Sequence, residues 1–371
     1  MVNLVAAQRP LLHGLMKMAG VRPYTVEIEP GTVMSFWVPS ETLTKPKKKN
    51  EKRETMVNLV IAERLLLHGL MNMAGIRPYT VEIEPGTAMN FWIPSETITK
   101  PKKKDKKPRI TAKPNKPAVV LVHGFAAEGI MTWQFQVGAL TKKYAVYVPD
   151  LLFFGGSATD KPNRSPRFQA ECLVAGLRKL GVEKCVVVGF SYGGMVAFKM
   201  AEMYPELVLG LVISGSILAM SESLSTTLLQ ELGVSSFSEL LLPTSVKGLK
   251  ALFSIAAHKK LRFPNRLLKD YLEVMFTNRK ERSELLEGLV ITNRDVTIPN
   301  FPQRIHLLWG ENDRIFKLEL AQSMKEQLGN GTTFEGIKKA GHLVHLERPC
   351  VYNRCLKHII ASFLDSNELK K

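Results

Sequence analysis

From residue 117 to residue 216 the apolar positions fall in short runs separated by longer amphipathic stretches. AVVLV from Ala118, YAVYVP from Tyr144, CVVVGF from Cys185 and LVIS from Leu211 are too short for helices and rich in β-branched residues, so they read as buried strands. The stretches between them carry helical spacing. Strands alternating with helices make a parallel sheet covered on both faces, so the predicted class is α/β with a mostly parallel central sheet. The alternation resumes at RIHLLWG from Arg304 and TTFEGIKK from Thr332, followed by a final helix. Between these two stretches, over 216–300, lies an insertion rich in Leu, Phe and Met. Helical patterns in SLSTTLLQEL, VKGLKALFSIAA and NRLLKDYLEVMF predict a helical cap over the core.

The N-terminus is organised by a duplication. The first fifty residues recur 55 positions later with about four positions in five identical, and VRPYTVEIEPGT from Val21 returns as IRPYTVEIEPGT from Ile76. Each unit reads as an amphipathic helix leading into two strands joined by a Pro-Gly turn, at Pro85-Gly86 in the second copy. Two copies are too few for a solenoid, and a single core has one slot for such a unit. The expected organisation is a redundant segment over 1–55, then the helix, hairpin and basic linker of the core over 56–116. Core segments at 117–215 and 301–371 flank the cap at 216–300.

Charge changes this picture little. The net charge of +17 is concentrated in two lysine runs, KPKKKNEKR from Lys45 and KPKKKDKKPR from Lys100. Such runs are most simply solvated loops, and no helix-turn-helix, zinc finger or RNA-binding motif accompanies them, so no specific nucleic-acid partner is expected. The second run is a candidate for peripheral contact with an anionic membrane. Cys172, Cys185, Cys350 and Cys355 form neither a disulfide framework nor a metal-binding pair. No HExxH or other ligand cluster is present, and neither metal nor cofactor is expected. Without a basic-apolar leader or an apolar run of spanning length, the expected location is the cytoplasm. Oligomeric state is not encoded in any feature of the sequence.

Chemistry concentrates where the strand CVVVGF enters Gly189-Phe190-Ser191-Tyr192-Gly193 and then a helix. A serine on this sharp turn needs small neighbours, and the following helix aims its N-terminus at a reacting carbonyl. Ser191 is therefore the candidate nucleophile. A serine hydroxyl needs a base, and the base needs an anion to fix its tautomer. His342, in the loop KKAGHLVHLERP, is the candidate base; His345, three residues on, is expected to pack or to contact solvent. The anion comes from the loop after RIHLLWG, where Glu311 and Asp313 compete. Backbone N–H groups of Phe125, just past His123-Gly124, and of Tyr192 are the candidate oxyanion donors, with His123 bracing its loop. His13, His68, His258, His306 and His358 lie in helical or strand patterns and read as structural.

HGF at 123, GFSYGG at 189, GENDRIF at 310 and GHLVHLERP at 341 resemble the α/β-hydrolase superfamily over most of residues 76–366. Within it the chain is similar to the plant branch described as monoacylglycerol-lipase-like, and more distantly to epoxide hydrolases and to hydrolases of carbon-carbon bonds. The resemblance implies an α/β-hydrolase fold with Ser191, Asp313 and His342 as nucleophile, acid and base, and so prefers Asp313 to Glu311. DLLFFGGS from Asp150 departs from the family's usual D-x-x-G-x-G-x-S run by its double phenylalanine. Epoxide opening needs a carboxylate nucleophile and lid tyrosines, whereas position 191 is serine and Tyr271 is the one tyrosine between 216 and 300. The expected activity is hydrolysis of a small lipophilic ester through an acyl-serine, with an apolar cleft under the cap. Carbon-carbon bond hydrolysis and slow-turnover ligand reception on the same fold are the alternatives.

Overall fold

The apolar runs form strands of the length their composition dictates. The computed structural model describes residues 21–29, 32–39, 58–99, 109–110 and 114–368. The main sheet contains β3 (Ile76–Glu84), β4 (Thr87–Pro94), β5 (Ala118–Val122), β6 (Ala145–Pro149), β7 (Cys185–Phe190), β8 (Val208–Ser214), β9 (Arg304–Gly310) and β10 (Thr332–Ile337). Its order is β10-β9-β8-β7-β5-β6-β4-β3, parallel from β10 to β6 and antiparallel through β4 and β3. In register, Gly189 lies beside both Val122 and Ile213, and Phe190 lies beside Ser214. The loops leaving β5, β7, β8 and β9 therefore emerge at one edge, where an open parallel sheet presents its functional groups.

Both copies of the duplicated hairpin form, and in the same register. β1 (Val21–Glu29) pairs with β2 (Thr32–Pro39) with Val21 opposite Pro39, just as Ile76 of β3 faces Pro94 of β4. The second copy joins the main sheet, where β4 meets β6 through Phe91 opposite Pro149; β1 and β2 form a separate two-stranded sheet. The helix of the first copy and both lysine runs, apart from Arg109, lie outside the described residues. In the second copy α1 (Leu59–Met73) starts at Asn58, whose side chain accepts from the N–H groups of Val60 and Ile61. Its Leu59 N–H donates to Asp270 of the cap at 2.7 Å, and Arg64 meets Glu128 beyond the β5 loop at 2.6 Å. The N-terminal unit thus touches cap and core together.

Helices α2 (Pro166–Lys179) and α3 (Tyr192–Met203) flank the centre of the sheet. The cap follows β8 as α4 (Glu222–Leu232), α5 (Phe237–Leu241), α6 (Val246–Ala256), α7 (Asn265–Met275) and α8 (Arg279–Glu287). Three of its helices begin on serines, Ser221, Ser236 and Ser245, each accepting from a backbone N–H three residues on. α5 is too short to show a 3.6-residue period. α8 buries Leu285 and Leu286 beside Arg282 and is otherwise polar, so neither helix stands out in the sequence.

The double phenylalanine seats the cap. Arg282, 3% exposed, donates Nε to the Phe153 carbonyl at 3.0 Å and a second nitrogen to that of Met275, with its guanidinium 4.1 Å from the Phe154 ring centroid. α9 (Leu318–Leu328) and α10 (Pro349–Glu368) complete the core. No described helix is long and apolar enough to cross a membrane.

Candidate active site

Ser191 occupies the single residue between β7 and α3, with φ 53° and ψ −123°. That backbone is costly for a side-chain-bearing residue and persists only where surroundings over-determine it. Here the Ser191 N–H donates to the Ser214 carbonyl at 2.9 Å, and the Ser191 carbonyl accepts from Ser216 Oγ at 2.6 Å and from the Gly194 N–H at 2.8 Å. The turn closes because its neighbours lack side chains. A Cβ on Gly189 would lie 2.7 Å from the Gly194 Cα, and one on Gly193 would lie 2.3 Å from the His123 carbonyl oxygen. Gly193 thereby lets the 123–125 loop settle beside Ser191.

That contact carries a prediction. Gly193→Ala must push the His123-Gly124-Phe125 backbone away, displacing the Phe125 N–H that is the candidate oxyanion donor, and is expected to lower hydrolytic turnover on the order of a hundred- to a thousandfold. Steady-state kinetics beside a thermal melt would test it, since a loss explained by unfolding would lower the melting temperature in parallel.

His123 has no ring nitrogen free for chemistry. Its Nε2 accepts from the Leu151 N–H at 2.9 Å, so the proton sits on Nδ1 and is donated to the Gly124 carbonyl at 2.6 Å. Burial holds its pKa down at about 4. It braces the loop, as its position in the sequence suggests.

His342 and Asp313 meet after β10 and β9. His342 Nδ1 lies 2.9 Å from Asp313 Oδ2, and both side chains are nearly inaccessible, at 5% and 1%. The other carboxylate oxygen, Oδ1, accepts from the N–H groups of Ile315 and Phe316 at 2.8 and 2.9 Å, which turns Oδ2 toward the imidazole. Glu311 instead lies along β10, its Cγ 3.0 Å from where a Cβ on Gly336 would stand. Gly215, which sequence reasoning passes over, floors this pair: its φ is +52°, and a Cβ there would lie 2.8 Å from His342 Nδ1.

Of the two expectations for His345, packing is what the structure shows. It is fully buried between Phe190 and Trp133, at ring distances of 4.3 and 5.0 Å, and neither ring nitrogen has a hydrogen-bond partner. Burial, assisted by the His342 charge, holds its pKa down at about 3. Its stabilising contribution is therefore complete above the unfolded value near 6.5 and is lost as the pH falls from there toward 3. His345→Phe is expected to resist acid better than the parent, losing about 2 kcal/mol less stability between pH 7 and pH 5. Urea titrations at both values would show it; identical pH dependence would mean that His345 titrates in the fold as it does in the unfolded chain.

Ser191, His342, Phe125 and Tyr192 line one cavity of 80 Å³, closed by Met195, Leu252, Phe253 and Phe316 among other apolar side chains. A second cavity of 490 Å³ lies beyond a wall that both share, made of Ala126, Phe190, Phe253 and Leu343. Among the described residues no three His, Cys, Asp or Glu side chains cluster as metal ligands.

Comparison with known proteins agrees with this fold. Residues 117–349 match the family model described as alpha/beta hydrolase fold. The chain is 26% identical over 282 residues to epoxide hydrolase 4 of Homo sapiens, covering 69% of this chain and 74% of that protein. Among solved structures it is similar to a putative lipase from Acinetobacter baumannii, with a TM-score of 0.64 and 19% identity over 88% of this chain and all of the other. It is also similar to a 2-hydroxy-6-oxo-6-phenylhexa-2,4-dienoate hydrolase from Rhodococcus, with a TM-score of 0.60 and 20% identity over 76% of this chain and 98% of the other. At these identities the structural likeness speaks for the fold alone.

Proposed function

The chain belongs to the α/β-hydrolase fold family, and from that premise we propose that it hydrolyses a carboxylic ester of a small lipophilic substrate through an acyl-Ser191 intermediate. Ser191 Oγ attacks the ester carbonyl while His342 takes its proton on Nε2. Asp313 holds the opposite N–H and offsets the imidazolium charge. The oxyanion lies against the N–H groups of Phe125 and Tyr192. As it collapses, the carbon-oxygen bond to the alcohol breaks and the imidazolium gives its proton to the departing oxygen. Water then adds to the acyl-enzyme with His342 again as base, releasing the acid and restoring Ser191.

The observation that carries this reading is the His342–Asp313 contact at 2.9 Å, with His342 on the wall of the apolar cavity that Ser191 also lines. The epoxide hydrolase name belongs to the relatives. In this chain the elbow has no carboxylate, and Tyr271 donates its hydroxyl to the Ala126 carbonyl at 3.3 Å while lining the other cavity. The polar side chains on the Ser191 cavity are Ser191, Tyr192 and His342. That set offers no cationic group for the carboxylate of a dienoate, which favours an ester over a carbon-carbon bond.

A fluorophosphonate probe should label the protein, and a series of p-nitrophenyl esters should give turnover peaking at a short acyl chain, because the cavity beside Ser191 is small. Phe253→Ala removes a wall residue between the two cavities and is expected to move the optimum to longer chains. Labelling without turnover on any ester would shift the reading to a ligand receptor.

A further inference from the structure

The loop joining α6 to α7 runs Lys259-Lys260-Leu261-Arg262-Phe263, and all five residues are exposed. Three cations alternate with two large apolar side chains, Leu261 at 39% and Phe263 at 40% exposure. Phe135, across the cavity mouth on the core side, is 48% exposed. These three apolar residues also line the 490 Å³ cavity, so the exposed patch is continuous with an apolar interior. Phe263 packs edge-on against Phe253 with centroids 5.8 Å apart, and Phe253 reaches the cavity of Ser191. An unbroken aromatic route thus runs from the surface to the nucleophile.

The carboxylates nearby do not neutralise the loop from outside. Glu347 is turned inward, accepting the backbone N–H groups of Gly341, His258 and Lys259 at 2.7, 3.0 and 2.9 Å. Asp270 accepts from Leu59 of α1. Glu63, which also lines the cavity, has its pKa raised by burial. Cations flanking exposed apolar side chains fit a surface that is anionic outside and hydrocarbon beneath; an acidic protein would meet the cations but offer no such depth to Leu261 and Phe263.

We propose that residues 259–263, with Phe135, dock on an anionic phospholipid bilayer, with Leu261 and Phe263 entering the acyl region and Lys259, Lys260 and Arg262 held at phosphate level. The 490 Å³ cavity then opens toward the membrane, and lipophilic molecules enter from the bilayer. This placement is independent of the lysine runs and of the ester reading, so it is tested on the full chain carrying Ser191→Ala.

Co-sedimentation with phosphatidylcholine vesicles, with and without phosphatidylglycerol, reads the binding. The double variant Leu261→Ser, Phe263→Ser leaves net charge unchanged and is expected to bind anionic vesicles roughly tenfold more weakly. Leu261→Trp should gain fluorescence that brominated acyl chains quench, whereas Gln322→Trp on α9, at a separate hollow lined by Lys325 and Phe334, should not be quenched. Undiminished binding by the double-serine variant would overturn the proposal and assign vesicle binding to charge alone. Absence of quenching at position 261, or tighter binding to polyglutamate than to anionic vesicles, would overturn it as well.

Discussion

Alanine at position 191 is expected to lower ester turnover by roughly 10⁵- to 10⁶-fold, the scale on which a serine nucleophile's removal is felt elsewhere. The change takes one oxygen and leaves the elbow alone. Alanine keeps the Cβ that the φ of 53° must already accommodate, and the bonds to Ser214, Ser216 and Gly194 all run through the backbone of residue 191. The melting temperature should therefore stay close to the parent's while fluorophosphonate labelling disappears. Residual catalysis from the Phe125 and Tyr192 donors should remain measurable over water. A variant retaining activity within tenfold of the parent would end the acyl-serine reading.

Asp313→Asn is expected to cost roughly 10⁴-fold in kcat with little change in KM or stability. Its Oδ1 can go on accepting from Ile315 and Phe316, which leaves the amide nitrogen facing His342 Nδ1. Two donors cannot share that contact, so the imidazole is driven to carry its proton on Nε2, where a base must be empty. Stopped-flow hydrolysis of the preferred p-nitrophenyl ester would measure the loss. A deficit under tenfold would show that Glu311 or solvent can orient the histidine, and Glu311→Gln would then become the decisive variant.

The fold is legible because its strands are short, β-branched and regularly spaced, and the candidate nucleophile because a strand-turn-helix accommodates Gly189, Gly193 and Gly194 so close together. The acid is harder. Glu311 and Asp313 share a loop, and what separates them is a two-pronged hydrogen bond from Ile315 and Phe316 that no periodicity encodes. In the structure it is Asp313 whose Oδ2 lies 2.9 Å from His342 Nδ1. Gly215 and Ser216 escape notice because each acts through a backbone approach rather than through reactive chemistry. A signal exists for them in the GS pair ending the strand LVIS, at the same sheet edge as the elbow. The double phenylalanine reads as a departure from pattern because Arg282, which rests on it, lies far along the chain in the cap.

The serine-started helices of the cap have a bearing on how the cap orders itself. α4, α5 and α6 each begin on a hydroxyl from their own sequence, and α8 is anchored by Arg282 on a pair of phenylalanines and by Glu284 on Arg164. Little of what starts these helices is borrowed from the sheet beneath. What the rest of the chain supplies is the seating of the finished cap, through Leu59 on Asp270, Arg164 on Glu284 and Phe153 on Arg282. Local order in the cap and its placement over Ser191 thus depend on two separate sets of residues, and a change in one set can leave the other intact.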